Sequence, residues 1–106
     1  GNQTITGGFS VTPANLGTIS AFTVTPASGN YQYFTRNSAV TITAPATDCA
    51  VDILMTNGAS AGAVTFSGFT VGASTGDALT TTNAQRFLLC IRRIGTISTY
   101  IIKALQ

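Results

Sequence analysis

The side chains in this chain that could move a proton or form a covalent bond are few. They are Asp48, Asp52, Asp77, Lys103, three tyrosines, and the cysteines Cys49 and Cys90. Histidine, glutamate and tryptophan are absent. Histidine is the usual general base and metal ligand near neutral pH, and paired carboxylates are the usual substitute. Asp48 and Asp52 are four residues apart, which on a strand puts them on one face about 13 Å from each other. That is wider than the roughly 5–9.5 Å a glycosidase pair uses. A calcium site draws on about six to eight oxygens, often from several clustered carboxylates, and three scattered aspartates do not supply them. Two cysteines without histidine make neither a zinc site nor an activated thiol. The Gly58–Gly62 tract GASAG lacks the lysine and the helix of a phosphate-binding loop. The reading is a non-enzymatic protein with no cofactor.

The same residues have other uses. In NYQYFT (30–35) Tyr31 and Tyr33 share one face of a strand with Phe34 opposite. Exposed tyrosines, apolar on the ring and polar at the tip, form a platform for sugars, so this pair is the candidate glycan contact. The alternative is a pair of rings packed at the edge of a sandwich. Asp52 is expected to form an ion pair with Arg92 or Arg93 on a neighbouring strand, and Asp77 after Gly76 to serve in a turn. Cys49 and Cys90 have two outcomes open: buried free thiols acting as small hydrophobes, or a disulfide within the chain or between copies. An internal bridge would constrain the unfolded chain by about 4 kcal/mol on the loop-entropy account.

The elements that must position these residues read as strands. Cys49, Val51, Ile53 and Met55 alternate with Ala50, Asp52 and Leu54, Val40 and Ile42 with Thr41 and Thr43, and Phe22 and Val24 with Thr23 and Thr25. Period-two alternation of β-branched and aromatic residues with threonine marks a half-buried strand, and no stretch carries a helical apolar stripe. Gly, Pro and Asn fall between the runs. About eight strands are expected, at 3–11, 17–25, 31–35, 38–44, 49–56, 62–71, 85–94 and 97–105, with a short edge piece at 76–83. The fold class is all-β, an antiparallel β-sandwich of jelly-roll type. RFLLCIRRI (86–94) and ISTYIIKAL (97–105), joined by Gly95-Thr96, read as a hairpin apolar on both faces. Such strands sit at the centre of an assembly, either inside the sandwich or at a subunit interface. FSVTPAN (9–15) returns as FTVTPAS (22–28); two copies are too few for a solenoid and read as two similar strand ends.

Only 8% of the 106 residues are charged, against roughly 25% in an average soluble domain, while nineteen are threonine. A surface this poor in charge is weakly protected against self-association, which points to partners or copies covering part of it. The net charge of +2 is too small for a nucleic-acid surface, and no apolar run is long enough for membrane insertion. The opening Gly1-Asn2-Gln3 suits a processed product or an excised C-terminal domain.

The succession NYQYFT (30–35), APATDCAVDILMTNGASAGAVTFSGFTV (44–71), TGDALTTTN (75–83) and RRIGTISTYIIKALQ (92–106) resembles a C-terminal β-module in virion proteins of tailed phages and prophages. The likeness spans residues 17–106, which sets off 1–16 as an N-terminal strand or attachment segment of a single-domain chain. It implies a component of the virion surface, of fibre, spike or head or tail decoration type, assembled as a homo-oligomer, usually a trimer. Other virion proteins are the expected partners, and the alternative that Tyr31 and Tyr33 raise is a carbohydrate-binding receptor-recognition tip domain with a host surface glycan as its partner. The likeness supplies no active-site residues. From the strand reading, Ile53→Asp or Ile91→Asp forces a charge into the core, and either variant is expected to give no cooperative thermal transition by circular dichroism.

Overall fold

A computed structural model describes residues 10–105. Its strands are β1 (Ala14–Thr18), β2 (Ala21–Thr23), β3 (Tyr31–Arg36), β4 (Val40–Thr43), β5 (Cys49–Asn57), β6 (Val64–Ser67), β7 (Arg86–Ile94) and β8 (Ile97–Leu105). The one helical element among these residues is a 3-10 turn at Pro26–Ser28, entered through Thr25, whose side chain accepts from the Ala27 amide. The fold is all-β, as the alternation required.

The topology differs from the antiparallel jelly roll expected. The chain steps back and forth between two sheets, so that β1, β3 and β5 pair in parallel in one and β2, β4 and β6 pair in parallel in the other. Each β1–β2, β3–β4 and β5–β6 step is one coil, and three coils stack. Only the last two strands run antiparallel, β7 on β5 and β8 on β7, which completes a five-stranded mixed sheet in the order β1-β3-β5-β7-β8 beside the three-stranded parallel sheet β2-β4-β6. Alternation specifies that a strand is half-buried, but not the direction of its neighbour. Short Gly- and Pro-bearing connections serve a coil as well as a hairpin.

Several boundaries move accordingly. The single strand expected at 17–25 is two strands in different sheets, parted at Ile19-Ser20. The run at 62–71 shortens to β6, and the expected edge piece at 76–83 reduces to one bridge, Gly76 to Ile102. Of the strand expected at 3–11, residues 3–9 lie outside the described residues, and 10 and 11 are not in a strand. The hairpin forms as expected, with Ile94 opposite Ile97 and Gly95 at φ +62°. Positive φ at the first central position of a two-residue turn suits glycine.

The core lies between the sheets. Phe34, Val51, Ile53, Met55, Phe87, Leu89, Ile91 and Ile102 come from the five-stranded sheet and Val40 and Ile42 from the three-stranded one, all buried. Aromatic pairs join the layers: Phe22 on β2 meets Phe34 on β3 edge-on at 5.2 Å, and Phe66 on β6 stacks on Tyr100 on β8 at 3.7 Å. Burying each large apolar side chain contributes about 1.5–3 kcal/mol.

One charge is buried with them. Arg36, at the end of β3, is 1% exposed and has no carboxylate within salt-bridge distance among the described residues. Its Nε and Nη2 donate to Asn57 Oδ1 at 3.1 and 2.6 Å, its Nη1 donates to the Gly62 carbonyl at 2.8 Å, and Nη2 also donates to the Thr80 carbonyl. Asn57 stands opposite Arg36 in the ladder and returns its own amide to the carbonyls of Thr80 and Thr82. Burial pushes the Arg36 pKa down from its ordinary value, yet a guanidinium stays charged in proteins.

The long connection from β6 to β7 is laid against the outer edge of β8. Thr70 donates to the Ser98 carbonyl, Asp77 donates to the Ile102 carbonyl and Ile102 donates to the Thr75 carbonyl. Gly76 is required there: it has φ +95°, and a Cβ would collide with the Ile102 backbone. Asn57→Ala takes two hydrogen bonds from the buried guanidinium and is expected to lower stability by about 3 kcal/mol in urea denaturation, whereas the double change Arg36→Met, Asn57→Leu, which removes the buried charge as well, is expected to cost less than Asn57→Ala alone.

Candidate functional site

The two sheets present unlike outer faces. On the three-stranded sheet the outward positions are Ala21 and Thr23, Thr41 and Thr43, and Thr65 and Ser67, aligned across the strands in parallel register. Their hydroxyls make that face polar. On the five-stranded sheet the outward positions run in rungs: Tyr31, Asp52, Cys90 and Ile101; then Tyr33, Leu54, Leu88 and Lys103; then Thr35, Thr56, Arg86 and Leu105. Ile94 and Ile97 close the hairpin end. This face is largely apolar and uncovered: Ile94 is 75% exposed, and Ile97 and Ile101 just over half.

Toward the β1 side of the same face lies a shallow cleft of about 280 Å³, with Pro13, Tyr31, Tyr33, Asp52, Leu54 and Leu88 among its lining residues. Tyr31 is 49% and Tyr33 40% exposed, while Gln32 between them and Phe34 after them are buried, so Phe34 lies opposite the tyrosines as the alternation in NYQYFT predicts. Parallel pairing of β3 with β5 sets Asp52 beside Tyr31 and Leu54 beside Tyr33. Antiparallel pairing of β5 with β7 adds Leu88 to the floor. The cleft is thus built from three strands far apart in sequence.

The ion pair expected of Asp52 with Arg92 or Arg93 does not form. Arg93 belongs to the core-side series of β7 and lies 3.9 Å through its Nε from Asp48, while its Nη1 donates to the Pro45 carbonyl. Arg92 shares the Asp52 face but sits opposite Ala50, one rung away. Among the described residues Asp52 therefore has no cation within salt-bridge distance. Asp48, just outside β5, also accepts from the Gly95 amide at 2.9 Å and so fastens the hairpin turn. Asp77 is more than a turn residue, since its Oδ2 accepts from the Ala104 amide on β8 at 2.8 Å. The three carboxylates serve three separate places, and among the described residues no three Cys or Asp side chains gather into a metal-sized group.

Cys49 and Cys90 are free thiols. Cys49 follows the inward series of β5 and Cys90 the outward series of β7. Their rungs are three residues apart, about 10 Å along the strands, beyond the roughly 7 Å a disulfide spans. An internal bridge is therefore closed to them. Burial first, then the Asp48 charge, pushes the Cys49 thiol pKa up against an opposing pull from Arg93. For Cys90 burial is again the largest cause, joined by the charge of Asp52 and a hydrogen bond with it, against Arg92.

Sequence reasoning found the tyrosines but not the floor or the carboxylate beside them, because only register brings Asp52, Leu54 and Leu88 to that place. It also passed over Arg36 and Asn57, since an arginine ending a strand and an Asn-Gly pair read as solvated turn chemistry. No family model, curated protein or solved structure matches this chain. With both thiol pKa values raised, alkylation by iodoacetamide at neutral pH is expected to be slower than for a free cysteine, the rate climbing as pH rises past the ordinary thiol range. Mass spectrometry of the labelled native protein checks this.

Proposed function

We propose that this chain is a non-enzymatic structural module of a tailed-phage virion, of fibre, spike or decoration type, which assembles with copies of itself through the hairpin half of its five-stranded sheet. The observation that carries the reading is the contrast between the two outer faces. The threonine-lined face is already suited to water. The face bearing Ile94, Ile97, Ile101 and Leu105 exposes large aliphatic side chains, set among Arg92, Thr99 and Lys103, and exposed apolar surface rimmed by polar residues on a soluble domain marks interaction sites.

The dimensions bound that use. The three nine-residue strands β5, β7 and β8, about 4.8 Å apart, span roughly 430 Å², about half the roughly 800 Å² per partner of a standard stable interface. Arg86, Arg92 and Lys103 stand on the same face as Asp52, so charges of both signs are available to fix register between copies. The wider face supports assembly, and the likeness of the sequence motifs to virion modules supports where the assembly belongs and a trimer as its form. The dispersal of the three aspartates supports a role without catalysis.

If copies are also joined covalently, Cys90 is the thiol placed to do it, since it lies at the middle of the outer face while Cys49 is turned toward the core. Light scattering on the native protein is expected to give three times the mass of one chain, unchanged by reductant or falling only when reductant removes a Cys90 link. Ile101→Asp, on the exposed rung, should yield a monomer with an unaltered circular dichroism spectrum. A monomeric wild-type protein at high concentration overturns the self-assembly reading.

A further inference from the structure

We infer that the cleft over β3 and β5 is a binding site for neutral sugar units, stacked on Tyr31 and Tyr33 and held at their hydroxyls by Asp52. A hexose is apolar on the C–H faces of its ring and polar around its rim. The cleft repeats that division: two exposed aromatic rings and the aliphatic side chains of Leu54 and Leu88 provide the apolar bed, and one carboxylate stands at its side. Its volume of about 280 Å³ lies just below the range for drug-sized ligand sites, roughly 300–1,000 Å³. That suits a short glycan rather than an extended one.

Asp52 decides the class. Its carboxylate has no salt-bridge partner among the described residues, and it is the one formal charge among the lining residues. An ionised carboxylate accepts hydrogen bonds at about four positions, so it can take two adjacent sugar hydroxyls together. The same charge repels a carboxylated or sulfated sugar in a partly desolvated cleft, and it repels nucleotide phosphates equally. The tyrosines argue against an ammonium cage. They stand side by side at alternate positions of one strand, about 6.6 Å apart, and so form a platform rather than walls on several sides.

The site is independent of self-assembly. The exposed isoleucines that carry the assembly reading lie on β8 and at the hairpin end, whereas the tyrosines lie on β3, with β5 and β7 between. Copies joined along β8 leave the tyrosine side of the face open.

Saturation-transfer NMR on the native protein, with glucose, galactose, mannose and N-acetylglucosamine as probes and N-acetylneuraminic acid as the anionic counterpart, tests the inference. At least one neutral sugar is expected to receive saturation, and the anionic sugar none. Tyr31→Ala and Tyr33→Ala should each weaken binding by about tenfold, and Asp52→Asn should weaken it without changing the thermal transition. The molar mass of each variant, read alongside, keeps a failure of the sugar site distinct from a failure of assembly. Absence of transfer to every neutral sugar, equal transfer to the anionic one, or undiminished transfer in the Tyr31→Ala, Tyr33→Ala double variant overturns the proposal.

Discussion

The buried guanidinium of Arg36 ties together parts of the chain that no run of local structure could hold. It reaches Asn57 at the end of β5, the Gly62 carbonyl just before β6, and the Thr80 carbonyl in the long connection to β7. Parallel coils need such a clamp more than hairpins do, because their connections cross from sheet to sheet without strand pairing of their own. An arginine suits the place because its rigid fork meets several carbonyls at once. Since desolvating a charge without a carboxylate is costly, Arg36 also makes other packings of these connections unfavourable: each would leave the guanidinium, or the carbonyls it satisfies, without partners.

With the connections held, the two ends of the five-stranded sheet become different. At one end β1 is short and irregular, its register shifting between Asn15 and Thr18. At the other, the β7–β8 hairpin reverses the chain, and the connection from β6 is pinned along β8 by Gly76 and Asp77. That cover is one of the ways proteins guard an edge strand against pairing with other chains. Edge-to-edge association through β8 is thereby discouraged, and the apolar surface that remains available is the flat outer face.

That outer face is where the proposed functions meet. Its hairpin half carries the exposed isoleucines with Arg92 and Lys103 set among them and is suited to another such surface. Its β3 half is aromatic with one carboxylate and suited to a small polar ligand. The two halves share strands β5 and β7, so ligand contact and assembly occupy neighbouring parts of one rigid sheet. Cys90 and Asp52 sit on the shared rung. Partial burial first, then the acidic neighbour, raises that thiol's pKa, which slows its reactions and leaves its placement, rather than its reactivity, as its notable property.

Much of this was legible in the residues. Period-two alternation separated the buried from the outward side chains in β3, β4 and β5, with Phe34 opposite Tyr31 and Tyr33, whereas β7, apolar on both faces, left that choice to the tertiary contacts. Gly95-Thr96 between two nine-residue runs located the hairpin. These properties are local: they follow from backbone geometry and the solubility of each side chain. Strand direction and partner choice are not local. A half-buried strand shows the same alternation whether its neighbour is parallel or antiparallel, so the three stacked coils, the Arg36–Asn57 clamp, the separation of Cys49 from Cys90 and the convergence of Asp52, Leu54 and Leu88 beside the tyrosines were decided only when the long-range contacts formed.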